Sequence, residues 1–219
     1  MTLQDLFAFG SNMTLSAKSF CVKIHIMDHL ENLKKKVSDL YLSKNDTRDS
    51  WADWLYENHI FLVADKAGEL ADKYGANREL AMASAMLHDI ADAVMSRFTE
   101  LHEEESFKIA KSFLKESNFS DEEIEIIVVD AMKFHSCRDG NIPKTLEGKV
   151  VATADAVTHL SSDFFEHAIL EKKKDGMTIP EISLWAIPKI DRDFNTKIFF
   201  EDVRKEMISY YEKQKALFQ

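Results

Sequence analysis

From about residue 27 onward, apolar positions recur at helical spacing, and the chain reads as one helix after another. The pattern predicts a helix over 28–42, closed by the polar cluster Ser43-Lys-Asn-Asp-Thr-Arg-Asp-Ser50. A second covers 51–74, where Ala67, Leu70, Ala71 and Tyr74 form a stripe ending before Gly75. A third covers 78–95 and keeps Leu80, Ala81, Ser84, Leu87, His88 and Ala91 on one face. A fourth begins near His102. Its successor starts at Ser120-Asp-Glu-Glu123, a capping-box arrangement, and carries Ile124, Ile127, Val128, Ala131 and His135 together. Residues 136–146, with Gly140 and Pro143, read as a loop. A helix over 147–173, a turn at Asp175-Gly176, a short helix near 180–187 and a last helix from about 196 complete the chain. Residues 1–26 are aromatic and poorly patterned, which makes Met27 or Met13 the expected natural start and 27–219 a single helical domain.

Composition sharpens this picture. Only 6 Gly and 3 Pro occur in 219 residues, too few for a protein of many tight turns, so the fold class is all-α. The net charge of −10 repels phosphate backbones and argues against broad nucleic-acid binding. Two cysteines cannot build a disulfide framework or a four-Cys zinc site, and they fit a reducing cytoplasm. No apolar run approaches the ~20 residues of a membrane span, and the N-terminus lacks a continuous signal-peptide core. The triplets at Asn12, Asn45 and Asn118 therefore carry no weight as glycosylation sites. The runs Lys34–Lys36 and Lys172–Lys174 read as solvated helix faces.

Chemistry enters where polar groups sit in apolar helix. His88 and Asp89 close the stretch Leu80-Ala-Met-Ala-Ser-Ala-Met-Leu87, and Asp155 is an isolated acid in Val150-Val-Ala-Thr-Ala-Asp-Ala-Val157. An unpaired carboxylate taken out of water costs on the order of 3–5 kcal/mol, so something must compensate it. His59 points inward beside Leu62 and Val63, His135 ends an apolar stripe, and His102 heads a helix opening with Glu103-Glu-Glu105. Imidazoles and carboxylates converging from separate segments are what a divalent cation needs. His25, His29, His159 and His167 read as surface or packing residues.

The order His59, His88-Asp89, Asp155 resembles the H…HD…D signature of the HD-domain metal-dependent phosphohydrolases. The resemblance covers roughly 51–173, with C-terminal helices over 178–219. It implies an all-α domain in which His59, His88, Asp89 and Asp155 ligate a divalent ion. His102 and His135 fall where the binuclear branches, HD-GYP cyclic-dinucleotide phosphodiesterases and diadenosine tetraphosphate hydrolases, carry extra ligands. By that analogy Asp89 would bridge two ions. The match departs at Ser136, where HD-GYP proteins have a second His, and no Gly-Tyr-Pro occurs. Asp92 stands where the nucleotidase branch has a catalytic Glu.

The expected activity is therefore hydrolysis of a small phosphorylated metabolite, a nucleotide first among them, by water activated on one or two ions. Nitrogen and oxygen ligands without thiolate suit Mn, Fe, Co or Mg. Asp89 holds metal, while Asp92 or Glu103 moves the proton. Arg138, Lys149, Lys189 and Arg192 are the candidates for the phosphoryl oxygens. Alternatives are a cyclic- or dinucleotide phosphodiesterase, or a non-catalytic metal-stabilised helical module. Oligomeric state stays open, a homo-oligomer included.

Overall fold

The computed structural model describes the backbone of residues 15–218 and the side chains of 29–218. Residues 1–14 of the poorly patterned N-terminal segment lie outside the described residues, whereas the first helix, α1 (Leu15–Leu42), begins upstream of the expected residue 28. A short α2 (Ala52–Leu55) passes through a π-helical turn (Tyr56–Ile60) into α3 (Phe61–Tyr74). Gly75 ends α3 in the left-handed conformation (φ 79°), donating its N–H to Ala71 at 2.8 Å. Asn77 then caps α4 (Arg78–Leu87) by accepting from the N–H groups of Glu79 and Leu80.

α5 (His102–Glu116) precedes α6 (Asp121–Ile124), which opens with the predicted capping box. Ser120 Oγ accepts from Glu123 N–H at 3.3 Å, and Glu123 accepts from Ser120 N–H at 2.8 Å. A π-helical stretch (Glu125–Met132) continues α6. α7 (Leu146–Ser161), α8 (Phe164–Lys174), α9 (Ile179–Arg192), a π turn (Asp193–Lys197), α10 (Glu201–Glu206) and α11 (Ile208–Ala216) follow. No strand occurs among the described residues.

The core forms where α3, α4, the 125–132 stretch and α7 pack on one another. α7 lies at its centre and is buried continuously from Val150 to Leu160, so it is apolar on nearly every face. Small residues let the neighbours approach: Ala81, Ala83, Ser84 and Ala85 of α4 are fully enclosed. α1 covers one side through Leu33, Val37 and Tyr41.

Three predicted helices are broken: the last, expected from about 196, resumes only at Glu201 after the extended Ile198 and Phe200 and divides again at Met207. The helix expected over 78–95 stops at Leu87; Asp89 leaves helical geometry (φ −131°, ψ 36°), and a 3-10 turn follows at Ile90–Ala93. Ile90, Ala91 and Ala93 stay buried through this change, so the apolar pattern continues while the hydrogen-bond register does not. The helix expected over 147–173 breaks at Ser162, which is extended (φ −102°, ψ −173°). Gln214 Nε2 donates to the carbonyls of Leu160 and Ser162 there, which satisfies the exposed end. α9 runs beyond the expected 180–187 and tolerates Pro188 inside it.

Candidate metal centre

Each of the three π-helical segments delivers a polar group to one place. The first carries His59, the second leads to His135, and the third carries Asp193 and Lys197. The break after α4 supplies His88 and Asp89, and α7 supplies Asp155 and His159. Irregular backbone of this kind is common at functional sites because it re-aims side chains out of the helical repeat.

Asp155 is the pivot. It is 2% exposed, and its Oδ1 lies 3.2 Å from His59 Nε2, 3.3 Å from His159 Nε2 and 3.7 Å from His88 Nε2, yet it accepts no hydrogen bond. Its Oδ2 pairs with the buried Lys197 ammonium. Burial alone would raise the Asp155 pKa, but His159, Lys197, His59 and His88 around it hold it well below the usual carboxylate range.

His88 supplies the sharper test of whether a cation fits. Its Nδ1 lies 2.7 Å from the Ala85 carbonyl, which can only accept, so Nδ1 carries a proton and donates it there, and Nε2 is the nitrogen turned towards the acids of the site. That buried Nε2 has no hydrogen-bond partner and faces Asp89 Oδ2 and Asp155 Oδ1, each at 3.7 Å. An imidazole nitrogen without a hydrogen-bond partner, placed between two carboxylate oxygens, offers three donors to a shared cation. His135 repeats the arrangement: Nδ1 donates to the Met132 carbonyl at 2.6 Å, and Nε2 faces Asp89 Oδ1 at 3.9 Å. Burial lowers the His135 pKa to about 4, which leaves the ring neutral near pH 7. The donors therefore fall into two groups with ligand atoms within 4.8 Å of one another: His59, Asp155 and His159, and His88, Asp89 and His135. The residues present fit a divalent ion.

A second network flanks Asp89. Arg97 donates to Asp89 Oδ2 at 2.6 Å and to both oxygens of Asp92. His102 Nε2 lies 2.8 Å from Asp92 Oδ1. Burial opposes the charged forms, but Arg97 above all keeps Asp89 ionised, and the Asp92 carboxylate raises the His102 pKa. A third network backs Asp155. Lys197 pairs with it and with Asp193 (3.6 Å), and Lys189 Nζ lies 3.1 Å from both Asp193 and His159 Nδ1. Burial lowers Lys189 to about 8, partly offset by Asp193.

These groups line a cleft of about 910 Å³, among whose walls are Trp51, Phe98, Phe164 and Trp185. His88, Asp89, His135 and Asp155 open onto it, as do Glu103, Arg138, Lys189 and Arg192. Lys149, half-buried on the first turns of α7, is not part of its wall. His102 is drawn to Asp92 and stands in neither ligand group. Asp92 is itself 3% exposed and engaged by Arg97 and His102, so it does not face the cleft as a free acid.

Sequence reasoning missed four participants. His159, expected as a surface or packing residue, is 5% exposed and stacks parallel on His59 at 4.9 Å; its position four after Asp155 was the available signal. Lys189, Asp193 and Lys197 recur every four residues, a pattern that marks one shared face, but only Lys189 was singled out. Arg97 sits in an irregular turn where no periodicity points to it. Lys172 also departs from the solvated face expected of Lys172–Lys174: its ammonium lies over the rings of Trp185 (4.5 Å) and Phe98 (5.3 Å) in the cleft wall.

The domain is all-helical, and the imidazoles and carboxylates gathered at its centre could hold a metal ion. Residues 56–160 match the family model of the HD domain. HD domains are generally those of metal-dependent phosphohydrolases. No curated protein and no solved structure matches this chain. Among the described residues, no helix is long and apolar enough to cross a membrane.

Proposed function

We propose that this protein is a metal-dependent phosphohydrolase that cleaves a phosphoester or phosphoanhydride of a small phosphorylated metabolite, with nucleotides as the substrate class. One observation carries the reading: His88 Nε2 and Asp155 Oδ1, neither with a hydrogen-bond partner, face each other at 3.7 Å in the wall of an open cleft. A purely structural metal site has every position filled by protein groups, whereas His88, Asp89, His135 and Asp155 belong to the wall of a large cleft, which has room for water or substrate. His59, His88, Asp89 and Asp155 would hold the ion, with His135 and His159 beside them. When bound, a divalent ion makes water nucleophilic near neutral pH and screens phosphoryl charge.

The rest falls to the chain's own groups. Lys189 and Arg192, one turn apart on α9, and Arg138 across the cleft offer N–H donors to non-bridging phosphoryl oxygens. Glu103 at the mouth has a carboxylate to carry a proton to or from solvent, a role that Asp92 cannot fill while Arg97 and His102 hold both its oxygens. Trp51, Phe98, Phe164 and Trp185 give flat apolar walls suited to a nucleobase, which favours nucleotides over plain sugar phosphates. The net charge of −10 argues against broad nucleic-acid binding.

Elemental analysis of the purified protein, followed by a phosphoester panel with Mn, Fe, Co and Mg, tests the proposal. The panel includes cyclic and dinucleotide diesters, because the cleft volume lies near the upper end for small-molecule sites. Hydrolysis of a nucleotide, abolished by His88→Ala with Asp89→Asn, is the expected result. Activity that survives loss of both residues overturns it.

A further inference from the structure

α8 and α9 both begin after residue 160, beyond the HD-domain match, and both run between the metal centre and the mouth of the cleft. At the inner end the Phe164 ring lies 4.1 Å from that of His159, and Lys189 Nζ is 3.1 Å from His159 Nδ1. Lys172 stands eight residues beyond Phe164 on α8, a rise of about 12 Å. Its ammonium lies over the rings of Trp185 (4.5 Å) and Phe98 (5.3 Å), and all three residues belong to the cleft wall.

This lysine differs from its neighbour and from the inner cations. Lys174 pairs with Glu171, Lys189 with Asp193, and Arg97 with Asp89 and Asp92. Lys172 forms no hydrogen bond and no ion pair among the described residues. Burial lowers its pKa, with Asp175 opposing, so the ammonium is partly stripped of water yet lacks an acceptor. Phe98 adds a second unused surface, since its ring is 74% exposed. The turn that carries it is nonetheless held, because the adjacent Arg97 N–H donates to Asp49 Oδ2 at 2.9 Å. Two aromatic faces and a donor-only cation suit a flat ring with an acceptor edge. A second phosphate would meet the ammonium but set its charged oxygens against the negative faces of both rings.

We propose that Lys172, Trp185 and Phe98 form a base-recognition subsite at the outer end of the cleft, which prefers a heterocycle with a carbonyl edge, such as a 6-oxopurine, over a 6-aminopurine. The rings of Trp185 and Phe98 cover the faces of the base, and the Lys172 ammonium donates to its carbonyl oxygen. An exocyclic amine at that edge would set N–H groups against N–H groups. Lys172 is then a specificity residue. The choice of a nucleobase rests on the phosphohydrolase reading with nucleotides as substrates; the test does not pass through hydrolysis.

The probes are inosine and adenosine, which share a sugar, lack phosphate and differ at the purine 6-position, so turnover does not enter the measurement. Ligand-observed NMR titration of the full chain gives their dissociation constants. Wild type should bind inosine at least about fivefold more tightly than adenosine. Lys172→Met keeps an apolar stem over the rings and should abolish that preference by weakening inosine alone. Lys172→Arg, donor-only like the original, should keep it, and so should Lys173→Met at the exposed neighbouring position. Equal affinities in wild type, no saturable binding of either nucleoside, or a preference that survives Lys172→Met would each overturn the subsite and leave the phosphohydrolase proposal standing. A Lys172-dependent preference in a protein that hydrolyses no phosphoester upholds the subsite and overturns the hydrolase instead.

Discussion

Lys197 carries the most exposed prediction about stability. Its ammonium is 2% exposed and pairs with Asp155 and Asp193, which are 2% and 0% exposed. Lys197→Met keeps much of the side-chain volume and deletes the charge. Asp193 retains Lys189 at 3.1 Å, but Asp155 loses the only ammonium bound to its Oδ2. Breaking a buried pair from one side costs about 3–5 kcal/mol, because the remaining charge stays desolvated. For a domain of this size that is a fall in Tm of roughly 6–20 °C. Thermal and urea unfolding in EDTA measures it, with Lys205→Met as the control, since Lys205 is 70% exposed and paired only at the surface. Saturating Mn2+ should narrow the gap, because an ion at Asp155 Oδ1 compensates the same carboxylate. A loss below about 1 kcal/mol in EDTA would refute the claim that Lys197 neutralises Asp155.

Three further outcomes follow from the same geometry. His88→Ala removes the unpartnered Nε2 facing Asp89 and Asp155, and should leave retained metal at least tenfold weaker by competition with a chelator; unchanged affinity would take His88 out of the ligand set. Glu79 is raised to about 7 by burial and by Glu123, from an ordinary 4.5, with His29 3.5 Å away. Its neutral form is thus favoured by folding: the stabilisation is complete below about 4.5 and lost as pH rises through about 7. Glu79→Gln should therefore gain Tm over wild type as pH goes from 5 to 8, and a flat or shrinking difference contradicts the assignment. In Gly148→Ala a Cβ would fall 2.5 Å from Pro143 Cβ and 2.8 Å from Asp130 Oδ2, the carboxylate that receives the N–H groups of Lys144 and Thr145. Urea unfolding should show a loss of about 1–3 kcal/mol.

The helices were legible because burial imposes a 3.6-residue repeat, and the Gly75, Ser120 and Gly176 boundaries follow from local chemistry. The breaks were not. Across His88–Ile90 and Ser161–Phe164 the chain stays near the core while its hydrogen bonding changes, and periodicity reports only burial. The acids and imidazoles of the centre stood out where they interrupt apolar runs, as His88, Asp89 and Asp155 do. Their cationic partners did not, because Arg97 and Lys197 lie in polar stretches that read like solvent-facing chain. A lysine in Asn195-Thr-Lys-Ile198 carries no local sign of being enclosed. Only the fold, by turning the third π segment against α7, reveals it.

That last contact bears on what the functional unit is. The HD-domain match ends at residue 160, and it contains every expected metal ligand. It does not contain the charges that let Asp155 sit inside α7, because Lys189, Asp193 and Lys197 all come later in the chain. Thr153 ties the same two segments together: its Oγ1 donates to the Lys197 carbonyl at 3.1 Å and accepts from Phe199 N–H at 3.1 Å. α9 also provides Trp185 and Arg192 to the cleft wall. The stretch 56–160 thus contains the candidate ligands, and the segment after it contains the lysine that pairs with Asp155 and part of the cleft wall. Three buried carboxylates, Asp92, Asp155 and Asp193, and the half-buried Asp89 are tolerable together because Arg97, Lys189 and Lys197 pair with them from within.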